Sequence, residues 1–213
     1  TGGVVTHSEL QKLAHGLLKF PKVFILSDEI YSRILFDNHK HNSLLKYPEI
    51  KDRVIILDGW SKTYSMTGWR LGFGIFPNSI FKFAEKLAIN SHSCVNSAAQ
   101  YAGIEALKGS QESVELMINK FQSRRDYLVK ELNKITNVEC KKPRGAFYVF
   151  PKVTKKNMMS VEISKYLLEK KFIATVPGSS FGDLGEGFLR ISYASNMKNL
   201  EKFILCLKDF MNE

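Results

Sequence analysis

The sequence predicts an α/β fold, in which a mostly parallel sheet with helices on both faces is followed by a small α+β domain. Two apolar runs of strand length, 23–26 and 54–57, contain no alternating polar residues. Such runs are typical of strands that are buried on both faces of a parallel sheet. Segments with helical periodicity alternate with these runs, and this alternation favours a layered α/β architecture.

The first part of the chain supplies most of the helices. Thr6 and Glu9 form a capping box before apolar residues at helical spacing, and Pro21 ends the predicted helix. A third buried strand is predicted at 71–76. Further helices are predicted at 80–89, 97–107 and 111–132, and the last of these is expected to link two domains.

The pattern changes after Pro143, where short strands and helices follow one another closely. Strands are predicted at 146–150, 172–175 and 187–193, and helices at 161–169 and from Met197 onward. Gly109 and the turn 141–144 are the best candidates for boundaries. The sequence therefore predicts segments 1–109, 110–142 and 143–213.

Composition excludes several functional classes. The formal net charge is +10, but the lysines are scattered along predicted helices, so we expect no nucleic-acid partner. No apolar run is long enough to cross a membrane. The three cysteines lack C-x-x-C spacing, so we expect reduced thiols, no metal site and a cytoplasmic protein. His39 and His41 are expected to be solvated.

The segment 61–72 carries the most specific chemistry. Lys62 and Arg70 stand eight residues apart in it. A lysine amine can condense with an aldehyde to form a Schiff base. A guanidinium offers a planar fork of donors that matches a phosphate. The pair therefore suits a cofactor that bears both a carbonyl group and a phosphate.

This segment reads SKTYSMTGWRLG and closely resembles the lysine signature of fold-type I pyridoxal-phosphate-dependent aminotransferases, the aspartate-aminotransferase-like group of class I and II. Further segments fit the same family in the expected order: SDEIY at 27–31, GAFY at 145–148, PGSSFG at 177–182 and FLRISYA at 188–194. The resemblance implies that 1–109 is the C-terminal part of the large pyridoxal-phosphate (PLP)-binding domain, 110–142 a linking helix and 143–213 the small C-terminal domain.

The resemblance also implies roles for individual residues. Lys62 would hold the cofactor as a Schiff base and then carry a proton as general base and acid. Asp28 would face the pyridine nitrogen and keep it protonated. The Tyr31 hydroxyl would bind the ring's phenolate oxygen. The alternatives are a surface lysine for Lys62 and a solvated turn acid or a helix cap for Asp28.

Three further residues would bind anions. Arg70 would hold the phosphate, with a surface ion pair as its alternative role. Ser61 could add a hydroxyl, although Gly59 stands where many relatives carry another serine. Arg190 lies on an apolar strand, where a charge is costly unless paired. The resemblance implies that Arg190 binds the substrate α-carboxylate, and the alternative is a buried salt bridge.

The function implied is transfer of an amino group between an L-amino acid and a 2-oxo acid, of aspartate type, by a homodimer. The alternatives are a carbon–sulfur lyase of the same fold, an aminotransferase-like domain of a transcription regulator, and an inactive interaction domain. Relatives carry Asn-Pro-Thr-Gly where this chain starts with Thr1 and Gly2. We therefore expect an N-terminally truncated chain that is inactive in isolation.

Overall fold

The computed structural model describes all 213 residues, and they form two compact units. One unit comprises Val4–Leu116, and the other comprises Thr1–Gly3 with Met117–Glu213. The predicted α/β class is confirmed. None of the helices combines the length and the apolar character that crossing a bilayer requires.

The unit Val4–Leu116 is built from a small sheet and several helices. Its elements are α1 (His7–Leu17), β1 (Ile25–Asp28), β2 (Val54–Gly59), α2 (Trp60–Thr63), β3 (Gly72–Ile75), α3 (Asn78–His92), α4 (Ser97–Lys108) and the start of α5 (Glu112–Leu132). Each helix predicted here forms within a few residues of its predicted bounds.

Helix α1 begins where the capping box predicts. The Glu9 backbone N–H donates to the Thr6 hydroxyl (3.3 Å), and the Thr6 backbone N–H donates to the Glu9 carboxylate (2.8 Å). The two bonds satisfy donors that would otherwise lack helical partners. Leu10 and Ala14 of this helix are buried in a core that includes Val54 of β2, so α1 packs on the sheet.

The sheet has the order β1-β2-β3, with β1 parallel and β3 antiparallel to β2. The first strand begins two residues later than predicted and includes Asp28 as its last residue. The prediction that 23–26 is buried is wrong, because Val23, Phe24 and Leu26 are exposed. The prediction that 71–76 is buried is wrong, because every residue of β3 is exposed, including Phe73 (46%) and Ile75 (45%). Phe73 and Gly74 line an open cavity of about 670 Å³ together with Phe81 and Leu87 of α3, so α3 does not cover this strand closely.

The second unit holds a separate set of strands and helices. Its elements are the remainder of α5, β4 (Val138–Glu139), β5 (Tyr148–Val149), β6 (Lys152–Val153), α6 (Ser160–Lys171), β7 (Val176–Pro177), β8 (Leu189–Ser192) and α7 (Met197–Asn212). β5, β8 and β7 form an antiparallel sheet in that order, and β4 pairs with β6.

The predicted strand at 172–175 is wrong. Phe172 takes a left-handed conformation (φ 55°) that ends α6, and strand pairing starts only at Val176. Helix α7 agrees with its prediction. It buries one apolar face in the core of this unit, formed by Leu200, Phe203, Ile204, Leu207 and Phe210.

Candidate active site

Asp28 and Lys62 lie at the carboxyl ends of two parallel strands in the unit Val4–Leu116. β1 ends at Asp28, and Lys62 lies on the single turn of α2 that directly follows β2. The two strands are parallel, with Asp28 opposite Leu57. In an α/β sheet, ligands usually bind in the crevice outside the carboxyl ends of the strands. The sheet topology thus brings together two residues that are far apart in sequence.

Tyr31 joins this pair. It lies in a turn after β1, in which the Ser32 backbone N–H donates to the Glu29 carbonyl (2.8 Å). The Lys62 Nζ lies 6.0 Å from the centre of the Tyr31 ring. The structure therefore gathers the predicted anchor and the predicted ring-oxygen partner in one place.

The segment that carries Lys62 is fastened at several points. The Trp60 indole Nε1 donates to the Gly103 carbonyl of α4 (3.0 Å), and the Trp60 backbone N–H donates to the Leu71 carbonyl (3.2 Å). The Thr67 hydroxyl donates to the Ser61 carbonyl (2.9 Å). A lysine held on such a segment has a defined position at its Cα.

Arg70 is a cation without an acidic partner. Its backbone is left-handed (φ 55°), and its Nη1 donates to the Thr67 carbonyl (2.9 Å). No carboxylate of this chain lies within 4.0 Å of its guanidinium, so Arg70 makes no ion pair within the chain. Arg70 lines an open cavity of about 840 Å³ together with Trp69, His92 and Asn96. An anion could reach it there.

Ser61 is half-buried, and its hydroxyl makes no hydrogen bond within the chain. At Gly59, a Cβ atom would lie 2.9 Å from both the Gly72 Cα and the Leu71 carbonyl oxygen. Backbone atoms at that distance leave no room for a side chain. The presence of glycine instead of serine at position 59 therefore agrees with the close approach of β3 to this residue.

Glu29 organises the turn beside Asp28, a role that the sequence did not reveal. Its carboxylate accepts hydrogen bonds from Ser27 (3.1 Å) and Ser43 (2.9 Å) and lies 2.6 Å from the His41 Nε2. His41 is exposed, as expected, and its Nε2 contacts the Glu29 carboxylate at the surface. In the sequence, the only indication of this role of Glu29 is a polar loop that contains both His41 and Ser43.

Asp58, on β2, is a second partly buried acid. It accepts hydrogen bonds from the Gly59 backbone N–H (2.6 Å) and from the Ser32 hydroxyl (3.1 Å). Burial raises the pKa of its carboxyl above the ordinary value, although both hydrogen bonds act in the opposite direction. The bond to Ser32 ties β2 to the turn that holds Tyr31.

Arg190 belongs to the other unit. It lies on β8, opposite Val176 of β7, and is half-buried. Its guanidinium makes no hydrogen bond and no ion pair within the chain. Its Cζ instead lies 4.6 Å from the ring centre of Tyr148 and 4.5 Å from that of Phe181. Arg190 therefore makes no structural salt bridge within this chain.

A family model described as aminotransferase class I and II matches residues 1–206 of this chain. The chain belongs to this family. It is 38% identical over 200 residues to an aspartate aminotransferase from Pyrococcus horikoshii, covering 93% of this chain and 51% of that protein. It is 39% identical over 223 residues to a "Probable aspartate/prephenate aminotransferase" from Rickettsia prowazekii, covering 100% of this chain and 55% of that protein.

A solved structure is similar to this aminotransferase-family chain along its whole length. The aromatic aminotransferase from Pyrococcus horikoshii OT3 superimposes with a TM-score of 0.94 at 34% identity, covering 100% of this chain and 57% of that one. The chain spans about half the length of the curated relatives it matches.

The site residues of this family member fit PLP, the cofactor of class I and II aminotransferases. Lys62 offers an amine, and Asp28 offers an exposed carboxylate that has no cationic partner. Arg70 offers a guanidinium that no carboxylate neutralises, beside an open cavity. This donor set can bind an aldehyde, a ring nitrogen and a phosphate.

Proposed function

We propose that the protein containing this chain is a PLP-dependent aminotransferase that moves an amino group between an L-amino acid and a 2-oxo acid. The observation that carries the proposal is the gathering of Asp28, Tyr31 and Lys62 at the carboxyl edge of β1 and β2, with the Lys62 Nζ 6.0 Å from the Tyr31 ring centre. Membership of the aminotransferase family supports it.

The chain's own residues divide the work of holding the cofactor. PLP, when bound, supplies an aldehyde for a lysine amine and a ring that withdraws electrons. Lys62 would be its covalent anchor. Asp28 would accept a hydrogen bond from the ring nitrogen and favour its protonated form. Tyr31 would bind the ring oxygen, and Arg70 and Ser61 would bind the phosphate.

Lys62 has a second task in this proposal. A neutral Lys62 Nζ beside the substrate would accept a proton from the substrate Cα and later return it. A single amine suffices for both transfers when it lies beside the reacting carbon. The one-turn helix and the bonds of Trp60 and Thr67 around it hold the Lys62 Cα for this purpose.

Arg190 binds the substrate α-carboxylate in this proposal. A half-buried guanidinium without an ion pair keeps its full charge and its fork of donors for an incoming carboxylate. Aspartate is the first amino acid to test, because relatives at 38% and 39% identity bear aspartate and aspartate/prephenate aminotransferase names.

The other functions considered are less well supported. The curated relatives reported above bear aminotransferase names, which does not favour a carbon–sulfur lyase or a transcription regulator. Homodimerisation and a cytoplasmic location remain predictions from the family resemblance.

The test is borohydride reduction of the whole protein after incubation with PLP, followed by peptide mass spectrometry. We expect a pyridoxyl mass on Lys62, and its loss in Lys62→Arg. Lys86→Arg removes an exposed lysine of α3 and should keep the adduct. An adduct spread over many lysines, or absent, would contradict the proposal.

Activity is then measured with a panel of L-amino acids and 2-oxo acids. Transfer of the amino group that depends on Lys62 would support an aminotransferase, with aspartate expected among the best donors. Release of sulfide or thiol from a sulfur amino acid without amino transfer would identify a lyase instead.

A further inference from the structure

The surroundings of the half-buried Arg190 differ from those of most covered arginines. Buried cations are normally paired with carboxylates or saturated with hydrogen bonds. Within this chain Arg190 has neither, and two aromatic rings, Tyr148 and Phe181, have their centres within 4.6 Å of its Cζ. Both distances are short for a cation over a ring face, where attraction extends to about 6 Å.

We propose that Tyr148 and Phe181 are positioning residues that hold the Arg190 guanidinium by cation–π contact, leaving all of its N–H donors for a substrate carboxylate. This proposal rests on the proposed function and names two residues for the same site. A carboxylate partner would orient Arg190 equally well, but it would neutralise the cation and occupy its fork. Ring faces orient the cation without either cost.

The position of Tyr148 follows from strand register. β5 and β8 are antiparallel, and Tyr148 lies opposite Ser192. Arg190 is two residues before Ser192, so it shares a sheet face with Tyr148 and is its diagonal neighbour. Long side chains reach each other across this diagonal. The Tyr193 hydroxyl also donates to the Ala146 carbonyl (3.0 Å), which fixes the chain just before Tyr148.

Phe181 is held by a different device. It ends the short 3₁₀ turn Gly178–Phe181 that follows β7, and its ring meets that of Phe150 edge to face at 5.9 Å. Phe150 in turn stacks on Phe188, with ring centres 5.2 Å apart. Half of Phe181 remains exposed. A ring at this place contacts Arg190 while the surface around it stays open.

The loop that carries Phe181 is anchored to α6. The Glu186 carboxylate accepts hydrogen bonds from the Ser160 backbone N–H (2.7 Å) and hydroxyl (2.8 Å), and from the Gly187 backbone N–H (2.9 Å). Gly178 and Gly185 touch so closely that a Cβ on Gly178 would lie 2.0 Å from the Gly185 oxygen. These contacts fix the base of the loop, and therefore the position of Phe181.

The experiment uses the holoenzyme of the whole protein and the variants Tyr148→Leu, Phe181→Leu and the double variant. We expect each single variant to raise the KM for both amino acid and 2-oxo acid about 2- to 5-fold at unchanged PLP occupancy, and the double variant to raise it further. kcat should change much less than KM. Tyr148→Phe keeps the ring and should retain the normal KM. Phe172→Leu removes an aromatic ring of the same unit that is 85% exposed, and should change nothing.

A second readout separates this proposal from the proposed function. Calorimetry with succinate measures carboxylate binding without any reaction. The Arg190→Lys variant gives the succinate affinity that remains when the bidentate guanidinium is lost. Weaker succinate binding in both Leu variants would support the ring contacts even if no transamination were found. Unchanged succinate binding and unchanged KM in the double variant would overturn the proposal. Equal losses in Tyr148→Phe and Tyr148→Leu would also overturn it, because the ring would then not be the essential part.

Discussion

The indole of Trp60 donates a hydrogen bond of 3.0 Å to the carbonyl of Gly103, and so joins the segment of the candidate lysine to α4. The absence of a side chain at Gly103 permits this contact. A Cβ there would lie 3.3 Å from two atoms of the Trp60 ring and 2.4 Å from the Leu71 Cδ2. The backbone of α4 at Gly103 therefore lies directly against Trp60 and Leu71, which flank the segment that carries Lys62.

Replacing Trp60 by Phe removes this bond and should lower the free energy of unfolding by about 1 kcal/mol. Urea denaturation followed by circular dichroism measures the change. Trp69→Phe is the matched control, because Trp69 is half exposed and surface substitutions usually change stability by less than about 0.5 kcal/mol. Equal effects of the two substitutions would contradict the role given to Trp60.

Gly59→Ala should destabilise the unit Val4–Leu116 by about 1–3 kcal/mol, because the added methyl group would meet backbone atoms of Leu71 and Gly72 at 2.9 Å. Gly16→Ala is the control. Gly16 lies in α1 with open space around it, and alanine should stabilise that helix by up to about 1 kcal/mol. If both substitutions were stabilising, the close contact at Gly59 would be wrong.

Asp58→Asn should be neutral or stabilising at pH 7. Burial raises the pKa of Asp58 above its ordinary 3.8, so the folded state binds this proton more tightly than the unfolded state. The stability contributed by this group therefore falls as the pH rises above 3.8, and the penalty is complete above the folded pKa. Asparagine has no such penalty.

Urea midpoints measured between pH 3 and pH 8 test this sign, with Asp52→Asn as the control for removing one exposed carboxylate. The Asp58→Asn variant should gain relative to the unmodified chain as the pH rises. A variant that loses stability relative to the unmodified chain over the same range would refute the assignment.

Arg125→Met should destabilise the second unit by roughly 1–3 kcal/mol. Arg125 is fully buried, and its Nη1 donates to the Pro143 carbonyl (3.0 Å) while its Nη2 lies 2.9 Å from the Asp126 carboxylate. Methionine fills similar space but leaves that buried carbonyl without its donor. Lys120→Met, at an exposed position of α5, should have little effect, and a similar loss there would show that charge alone matters.

The three cysteines should differ in reactivity toward a thiol reagent at pH 8. Burial raises the pKa of Cys140 to about 12, whereas Cys94 is exposed. Since the thiolate is the nucleophile, Cys94 should react first and Cys140 only after unfolding. Cys94→Ser should lose the fast phase of labelling. Rapid modification of Cys140 in the folded protein would contradict its burial.

Much of the local structure could be predicted, because its causes lie within a few residues. The capping box of Thr6 and Glu9 marked the start of α1, and the closing helix predicted from Met197 onward is α7. Helix periodicity and caps depend on contacts three or four residues apart. The strand bounds were less accurate, since pairing depends on distant partners. The strand expected at 172–175 failed because Phe172 adopts a left-handed cap.

The sequence by itself determined the family and the candidate residues, because the Ser61–Gly72 segment and the other family segments are legible as linear patterns. Only the tertiary structure decided what surrounds those residues. Three contacts join residues that are distant in the chain: that between Glu29 and His41, that between Gly59 and β3, and that between Arg190 and its neighbouring rings. Such contacts arise from strand register and loop packing, which residue patterns do not encode individually.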